Sequence, residues 1–310
     1  MKKMIIFCFI LFNQVFLHAK IVNDSGVRAT NAKRIEHVVF IGIDGYGKNN
    51  FKRGSLTGAK KPHIPNIMFI KNSGAWTLDA KIDSRAFSGP NWMGMLTGSS
   101  SRKHGVKTNN CERGNGLQTI FEVIRNQRPD AEVGVIYDWK PIGCYPLENS
   151  VSFSKPVTSQ TTQNIAEEAV SYIKEKRPYF LFTYFGAADE AGHVHKGNSY
   201  EYNKAVEEID RGIGKILDAL REENILSKTL VILTSDHGQM RLVRGHTWRF
   251  TPVPLFMMGP NIVKGKMKKK FGKMRIRNNI IAPLIAYALG LEPSPQWNTT
   301  IDPVLNYFKH

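Results

Sequence analysis

Three apolar segments of this chain end in an aspartate, and this pattern constrains the fold more than any other feature. The segments are 37–44 (HVVFIGID), 179–189 (YFLFTYFGAAD) and 230–236 (LVILTSD). Runs rich in β-branched and aromatic residues, bounded by Gly and Asp, predict buried strands. In open α/β sheets, ligands bind outside the carboxyl ends of the strands. We therefore expect Asp44, Asp189 and Asp236 at one rim of a sheet, where three carboxylates favour a metal site.

Strand-like and helix-like segments alternate from Ile35 onward, which predicts an α/β fold. We expect a three-layer sandwich with a mostly parallel central sheet and helices on both faces, forming a single catalytic domain over 35–310. Segments 140–158 and 239–275 are predicted to be irregular and to shape a pocket. The predicted strands are 36–43, 75–80, 132–137, 179–185 and 229–234, and the predicted helices are 64–72, 88–97, 117–127, 160–175, 200–222 and 278–289.

The first nineteen residues have the features of a signal peptide. Lys2 and Lys3 precede an apolar stretch over 4–12, and Leu17-His18-Ala19 is a suitable cleavage site. Residues 20–34 are predicted to form a flexible lead-in. We expect an exported protein, periplasmic or secreted, without a stable membrane span; an uncleaved anchor is the alternative.

The chain is strongly basic, with a formal net charge of +17, which favours anionic partners or surfaces. Eight of the fourteen residues in 264–277 are Lys or Arg. The simpler interpretation of this stretch is a solvated loop or hairpin, and a phosphate-rich partner is the alternative. Nucleic-acid binding is not expected, because only Phe271 interrupts the basic run with an aromatic ring.

Two cysteines, Cys111 and Cys144, remain once Cys8 leaves with the signal peptide. Neither lies in a CxxC or thiolate-metal spacing. In an oxidising compartment they form either a disulfide or two free thiols, and the sequence leaves both open.

Further candidate ligands accompany the three aspartates. Asp236 and His237 are adjacent, Asp189 and His193 are four residues apart, and His246 follows His237 by nine residues. Zinc binds nitrogen and oxygen ligands of this kind, and a carboxylate and an imidazole at i and i+4 can converge on one ion.

Ser88 opens the segment Ser88-Gly-Pro-Asn-Trp92, which predicts a helix start. One interpretation is that Ser88 only caps this helix. The functional interpretation places its hydroxyl at a helix N-terminus, where free N–H groups favour a phosphate, and a zinc ion would make the hydroxyl a nucleophile.

Taken in order, these motifs resemble the alkaline phosphatase superfamily, and most closely its type I phosphodiesterase/nucleotide pyrophosphatase branch. Each motif alone is weak, whereas the ordered set is specific and spans nearly all of the chain after the signal peptide. The matching motifs are Ile41-Gly-Ile-Asp-Gly45, His63-Ile-Pro-Asn-Ile67, Lys71-Asn-Ser-Gly74, Ser88-Gly-Pro-Asn91, Leu96-Thr-Gly98, His104-Gly105, Asn109, Asp189-Glu-Ala-Gly-His193, Ser235-Asp-His-Gly238, Gly245-His246 and 280–290.

The resemblance implies two zinc ions, with manganese or iron as alternatives. Asp189, His193 and His246 would hold one ion, and Asp44, Asp236 and His237, with Ser88, would hold the other. Ser88 would attack phosphorus and form a phosphoseryl intermediate. Asn109 and the Gly89 N–H would contact non-bridging phosphate oxygens. The implied activity is hydrolysis of phosphodiester or pyrophosphate bonds in a small phosphate ester, a nucleotide or a phospholipid headgroup among them.

Two departures from the family pattern keep alternatives open. The nucleophile of this branch is usually Thr, whereas phosphomonoesterases more often carry Ser, so a phosphomonoesterase is the nearest alternative. The segment at Ser88 also approaches the sulfatase pattern, which requires Arg where this chain has Trp92. A sulfatase, a phospho-headgroup transferase and a non-catalytic anion-binding protein are therefore less favoured alternatives. The sequence does not indicate an oligomeric state.

Overall fold

The computed structural model describes residues 34–52, 60–157, 162–246, 252–268, 270–271 and 274–309. The predicted signal peptide, and all of the predicted lead-in except Arg34, lie outside these residues. Among the described helices, none has both the length and the apolar character needed to cross a bilayer.

An eight-stranded sheet forms the middle of the fold, in the order β4-β3-β5-β1-β6-β7-β2-β8. Among the described strands of this sheet, β7 alone runs antiparallel to its neighbours, so the predicted mostly parallel sheet is confirmed. All five predicted strands are present. The strands are β1 His37–Ile43, β2 Ala75–Ala80, β3 Val133–Tyr137, β4 Phe153–Pro156, β5 Phe180–Phe185, β6 Thr229–Thr234, β7 Val253–Met258 and β8 Gly265–Lys266, with a separate hairpin of β9 Lys270–Phe271 and β10 Met274–Arg275.

The prediction that 140–158 and 239–275 are irregular is wrong in part. The first stretch contains β4, and the second contains β7, a fully buried strand beside β6. Both strands include a proline, which lacks the N–H that a sheet ladder uses and so weakens the strand signal in the sequence. In β7 the Pro254 carbonyl accepts a hydrogen bond from the Thr234 hydroxyl at 2.6 Å, which ties this proline to the neighbouring strand.

Eleven α-helices surround the sheet in the described part of the chain. All six predicted helices are present: 88–97 and 200–222 have the predicted bounds, and the other four have shifted ends. The last one is divided into a 3-10 turn, Asn278–Ile280, and an α-helix. The helices are α1 Lys48–Lys52, α2 Pro65–Ser73, α3 Ser88–Thr97, α4 Ser101–His104, α5 Ile120–Gln127, α6 Lys140–Cys144, α7 Thr162–Lys176, α8 Ala187–His195, α9 Tyr200–Glu222, α10 Ile281–Ala288 and α11 Asp302–Leu305.

The core consists of two apolar layers, one on each face of the sheet. Strand β1 contributes to both, because successive side chains point to opposite faces: Val38 and Phe40 join one layer, and Val39 and Ile41 join the other. This is the three-layer arrangement predicted from strand–helix alternation. It holds the carboxyl ends of β1, β5 and β6 side by side at one rim.

Cys111 and Cys144 form a disulfide, with their Cα atoms 5.5 Å apart. The bond connects the loop between α4 and α5 to the end of α6. Of the two alternatives that the sequence left open, the structure contains the disulfide.

Candidate active site

Asp44, Asp236 and His237 lie together just beyond the carboxyl ends of two adjacent parallel strands. Strands β1 and β6 pair with Gly42 opposite Thr234, so the residues that follow them emerge at the same rim. His237 Nε2 is 3.3 Å from Asp44 Oδ1 and 3.2 Å from Asp236 Oδ2. All three side chains are buried. Ligand atoms of this trio lie within 4.8 Å of one another, a spacing suited to a shared cation.

Ser88 points into the same cluster. Its hydroxyl oxygen is 3.2 Å from His237 Nε2 and 3.4 Å from Asp44 Oδ1. Ser88 is the first residue of α3, and the extended residue Phe87 occupies the N-cap position without a side-chain cap among the described residues. Ser88 therefore does not cap this helix. The hydroxyl is directed at the carboxylate–imidazole cluster instead.

Asp189, His193 and His246 lie at the outer side of this cluster. Asp189 and His193 occupy i and i+4 of α8, and Asp189 Oδ2 is 3.3 Å from His193 Nε2. The His246 ring centroid is 4.9 Å from that of His193 and 4.2 Å from that of His237. The structure thus brings the seven predicted positions to one rim.

The grouping of these residues differs in one respect from the expected division. Ligand atoms of Asp189, His237 and His246 lie within 4.8 Å of one another, so His237 takes the place expected for His193. The half-exposed His193 imidazole pairs with the outer oxygen of Asp189, as its i, i+4 position on a helix allows. His237 therefore lies between the two candidate ion positions.

Asp44 is held by two residues that the sequence did not single out as part of the site. Trp92 Nε1 and the Tyr184 hydroxyl both donate hydrogen bonds to Asp44 Oδ2, at 3.1 and 2.5 Å. The other oxygen, Oδ1, is left facing Ser88 and His237. The buried Trp92 ring also packs between two aromatic neighbours, Phe182 and Tyr184. Its position one helical turn after Ser88 was the signal that could have linked it to the site.

Asp189 and Asp236 are held in a similar way. Gln239 Nε2 donates to Asp189 Oδ1, and the Gly45 N–H donates to Asp236 Oδ1 at 3.2 Å. Gly45 has φ +69°, and a Cβ at this position would lie 2.7 Å from Asp189 Oδ1. A glycine is therefore needed where β1 turns into the site.

The electrostatics of the cluster favour bound cations. The pKa of Asp44 is raised well above its ordinary value by burial and by the charges of Asp236 and Asp189. Burial also raises the pKa of Asp236 and lowers the pKa of His246 to about 4. For Asp189, the hydrogen bond from His193 and nearby imidazoles outweigh the effect of burial, and its pKa is lowered. Carboxylates buried this close together repel one another unless a cation neutralises them.

Two buried polar atoms without hydrogen-bond partners among the described residues also favour a bound cation. Within the described residues, Asp236 Oδ2 and His237 Nδ1 are buried without a hydrogen-bond partner. Buried polar atoms are normally satisfied, so such atoms in a cluster of nitrogen and oxygen donors fit metal coordination. The residues present are thus suited to divalent ions of the zinc type.

Gly89 and Asn109, both predicted to contact phosphate, bond to each other. The Gly89 N–H donates to Asn109 Oδ1 at 2.9 Å. A Cβ on residue 89 would lie 2.2 Å from the Thr108 carbonyl oxygen, so the close approach of these segments depends on glycine. In this structure the Gly89 N–H orients the exposed Asn109 side chain beside Ser88, and its contact with a phosphate stays a prediction.

Comparison with known proteins gives a family match and several relatives. Residues 122–253 match the family described as type I phosphodiesterase/nucleotide pyrophosphatase. Rat steryl-sulfatase is 33% identical over 116 residues, 35% of this chain and 20% of that protein. Mouse ectonucleotide pyrophosphatase/phosphodiesterase family member 1 is 25% identical over 205 residues, 56% of this chain and 21% of that protein. The chain thus matches about a fifth of the length of these curated relatives.

A solved structure extends the likeness to most of the fold. Murine ectonucleotide pyrophosphatase/phosphodiesterase 5, in complex with AMP, superposes with a TM-score of 0.69 at 14% identity. The alignment covers 88% of this chain and 100% of the murine chain. The central sheet and the helices around it are therefore arranged as in that structure.

Proposed function

We propose that this chain is a member of the alkaline phosphatase superfamily that hydrolyses phosphodiester or pyrophosphate bonds. Two observations support this: residues 122–253 match the type I phosphodiesterase/nucleotide pyrophosphatase family, and the fold is arranged as in murine ectonucleotide pyrophosphatase/phosphodiesterase 5. The observation that carries the proposal is the position of the Ser88 hydroxyl, 3.2 Å from His237 and 3.4 Å from Asp44. Such a reaction needs a nucleophile and groups that bind metal, and this rim carries one hydroxyl, three carboxylates and three imidazoles.

The proposed ligands form two sets around Ser88. Asp44, Asp236 and His237 would hold one ion together with Ser88, and Asp189, His193 and His246 would hold the second. The tight grouping of Asp44, Asp236 and His237, and the closeness of Asp189 to His246, support this assignment. When bound, two such ions lower the pKa of the serine hydroxyl and neutralise charge on the phosphoryl group. Zinc is the proposed metal, because the donor set is imidazole and carboxylate.

The covalent steps are assigned to residues of the chain. Ser88 Oγ forms a bond to phosphorus, and the bond from phosphorus to the leaving oxygen breaks with its electron pair on that oxygen. The hydroxyl proton passes to solvent water, because the lone pairs of His237 Nε2 and Asp44 Oδ1, the two groups that Oγ contacts, would be taken up by the ion that they hold. In the second step water attacks the phosphoserine, the Oγ–phosphorus bond breaks, and Ser88 regains a proton.

Asn109 is proposed to bind the phosphoryl group during these steps. Its Oδ1 accepts the Gly89 N–H, so its Nδ2 is the atom that would donate to a phosphoryl oxygen bound at Ser88. An amide donor in this position would stabilise charge on a non-bridging oxygen.

The proposed substrate is a small phosphate ester outside the cytoplasm. The neighbouring murine structure contains AMP, which supports a nucleotide or another compact phosphodiester, with a phospholipid headgroup as a further option. The Cys111–Cys144 disulfide supports export to an oxidising compartment, periplasmic or extracellular.

Two alternative substrates are weighed against this proposal. A phosphate monoester dianion calls for an additional cationic contact. In the described residues, the side chains that contact Ser88, Asp44 and His237 are carboxylate, imidazole, phenol and indole groups, which does not favour a monoester. The sequence identity to rat steryl-sulfatase favours a sulfate ester as the substrate. Trp92, however, stands where the sulfatase pattern requires Arg, and its indole is committed to Asp44.

The test is hydrolysis of three aryl esters by zinc-replete protein: a bis-aryl phosphate, an aryl phosphate and an aryl sulfate. We expect the diester to be preferred, Ser88→Ala to abolish turnover with zinc content retained, and a matched variant of a buried serine after the same helix, Ser99→Ala, to remain active. Faster aryl sulfate hydrolysis, or near-normal activity of Ser88→Ala, would overturn the proposal.

A further inference from the structure

A short loop between His237 and His246 exposes two apolar side chains beside the candidate active site. Leu242 is 72% exposed and Val243 is 51% exposed. They are flanked in sequence by Arg241 and Arg244, and the stretch 240–246 contains no acidic residue. Clusters of exposed apolar side chains bordered by polar residues mark contact surfaces for proteins or membranes.

The loop is built to hold this tip in place. Met240 N–H donates to the Gly245 carbonyl at 2.9 Å and closes the loop at its base. The base is attached to the end of α8, because Gly245 N–H donates to the Gly192 carbonyl at 3.1 Å and Gly197 N–H donates to the Met240 carbonyl at 2.6 Å. The exposed side chains thus project from an anchored loop.

Two more exposed apolar residues border the same histidines. Val194, 55% exposed, follows His193 and lies in sequence between Gly192 and Gly197, the two residues that bond to the base of the loop. Phe87, 41% exposed, has its ring centroid 6.4 Å from that of His246. We call Phe87, Val194, Leu242 and Val243 the rim patch.

Positive charge accompanies the rim patch. Arg244 and Lys196 are both exposed at the same edge of the site, one in the loop and one at the end of α8. The whole chain carries a formal charge of +17. Apolar side chains that enter the interface, surrounded by cations that pair with lipid phosphates, are the features of a peripheral membrane contact.

We propose that the rim patch, with Arg244 and Lys196, docks the active-site face of this protein on an anionic lipid surface. The contact would place the opening in front of Ser88 against the plane of the lipid headgroups. This inference concerns a binding surface and stands apart from the hydrolysis proposed above, since docking needs neither metal nor turnover.

The experiment is co-sedimentation of the purified chain with vesicles of phosphatidylcholine alone or with about 30% phosphatidylglycerol. We expect binding to the anionic vesicles only, and a loss of about tenfold or more in Leu242→Ser/Val243→Ser. Hydrolysis of a soluble diester by this double variant should match the parent, which shows that the fold and the site are intact.

Phe69→Ser is the matched control. Phe69 is also an exposed ring beside an arginine, with Arg221 5.2 Å from its centroid, but it lies on α2 next to the far end of α9. Its variant should bind vesicles like the parent. The proposal is overturned if the parent does not bind anionic vesicles, if the loop variant binds them as well as the parent does, or if Phe69→Ser weakens binding equally. It is also overturned if the parent is a dimer that the loop variant converts to a monomer, because a second copy would then be the occupant.

Discussion

Trp92 donates its indole N–H to Asp44 Oδ2 at 3.1 Å, one helical turn after Ser88. The helix that presents the nucleophile is thereby connected to a candidate metal ligand on a different element. The Tyr184 hydroxyl reaches the same oxygen from β5. The orientation of the Asp44 carboxylate thus depends on three elements of the fold: α3, β1 and β5.

Removal of the indole donor should weaken metal binding. Trp92→Phe keeps an aromatic ring in the core but leaves Asp44 Oδ2 with Tyr184 alone. Residues that orient a ligand typically contribute tenfold to a hundredfold in metal affinity. We expect a loss of at least about tenfold in zinc affinity, measured by competition with a chromogenic chelator.

Trp76→Phe is the control for this variant, because Trp76 lies on β2 in register with Phe256 and stacks under Lys71. Its zinc affinity should equal that of the parent. Unchanged affinity in Trp92→Phe would show that Tyr184 alone suffices to orient Asp44.

Gly45→Ala should destabilise the protein and disturb the site. The residue has φ +69°, and its Cβ would lie 2.7 Å from Asp189 Oδ1. Gly116→Ala provides a matched control, since Gly116 has φ +66° and no heavy atom of the described residues lies within 4 Å of the added Cβ. We expect about 1 kcal/mol of destabilisation in the control, from backbone strain alone, and about 2–4 kcal/mol in Gly45→Ala.

Urea unfolding at neutral pH measures both variants. If the two lose the same free energy of unfolding, the contact with Asp189 has no energetic consequence and only the backbone angle matters.

The folded protein should lose stability in mild acid through His104. This buried side chain accepts the Val106 N–H at Nδ1, and burial lowers its pKa to about 4. Between the unfolded value of about 6.5 and about 4, the unfolded chain binds the proton and the folded chain does not. The stabilisation is therefore complete above about pH 6.5 and is lost as the pH falls toward 4, by at most about 3 kcal/mol.

His104→Gln removes the titrating group and retains an acceptor for Val106. The difference in unfolding free energy between parent and variant should therefore shrink as the pH falls from 7 to about 4, while other titrations cancel. A difference that stays constant across this range would remove His104 as the cause.

Reduction of the Cys111–Cys144 disulfide should lower stability and impair the site. The two residues are 33 positions apart, and closing a loop of that length stabilises a protein by about 3–4 kcal/mol in the chain-entropy model. Asn109 lies two residues before Cys111, so the freed loop would also hold Asn109 less firmly. We expect a lower melting temperature and a raised KM in Cys111→Ser/Cys144→Ser, and in the parent with reductant.

The double variant should not respond to reductant, which serves as the internal control. A parent whose melting temperature is the same with and without reductant would show that the disulfide contributes nothing to the folded state.

The sequence predicted those parts of the fold whose local pattern agrees with their tertiary environment. Strand β6 and helices α3 and α9 match their predicted bounds, because buried apolar runs and helical periodicity define them. Strand β7 was missed because Pro254 contradicts its local pattern, and the contacts that hold it come from Thr234 and the neighbouring strands β6 and β2, which lie elsewhere in the chain. Helix α8 was missed because its short span contains Gly192 and two histidines.

The positions of the site were more predictable than its supporting contacts. Asp44, Asp236 and His237 follow strands, so strand order alone brings them together. The contact of Gln239 with Asp189, and the placement of His237 between two groups, depend on how loops pack against one another. No spacing within the sequence specifies such contacts, because they join segments far apart along the chain.

Most of the candidate ligands begin where a buried strand stops, whereas the rim patch belongs to segments outside the sheet. A change in the loop at 241–244 would alter no strand register and no core contact of β1 or β6. The strand ends that carry the candidate ligands and the side chains at 242 and 243 can therefore change independently, so the proposed surface contact could be altered by substitutions at the loop tip while the ligands stay in place.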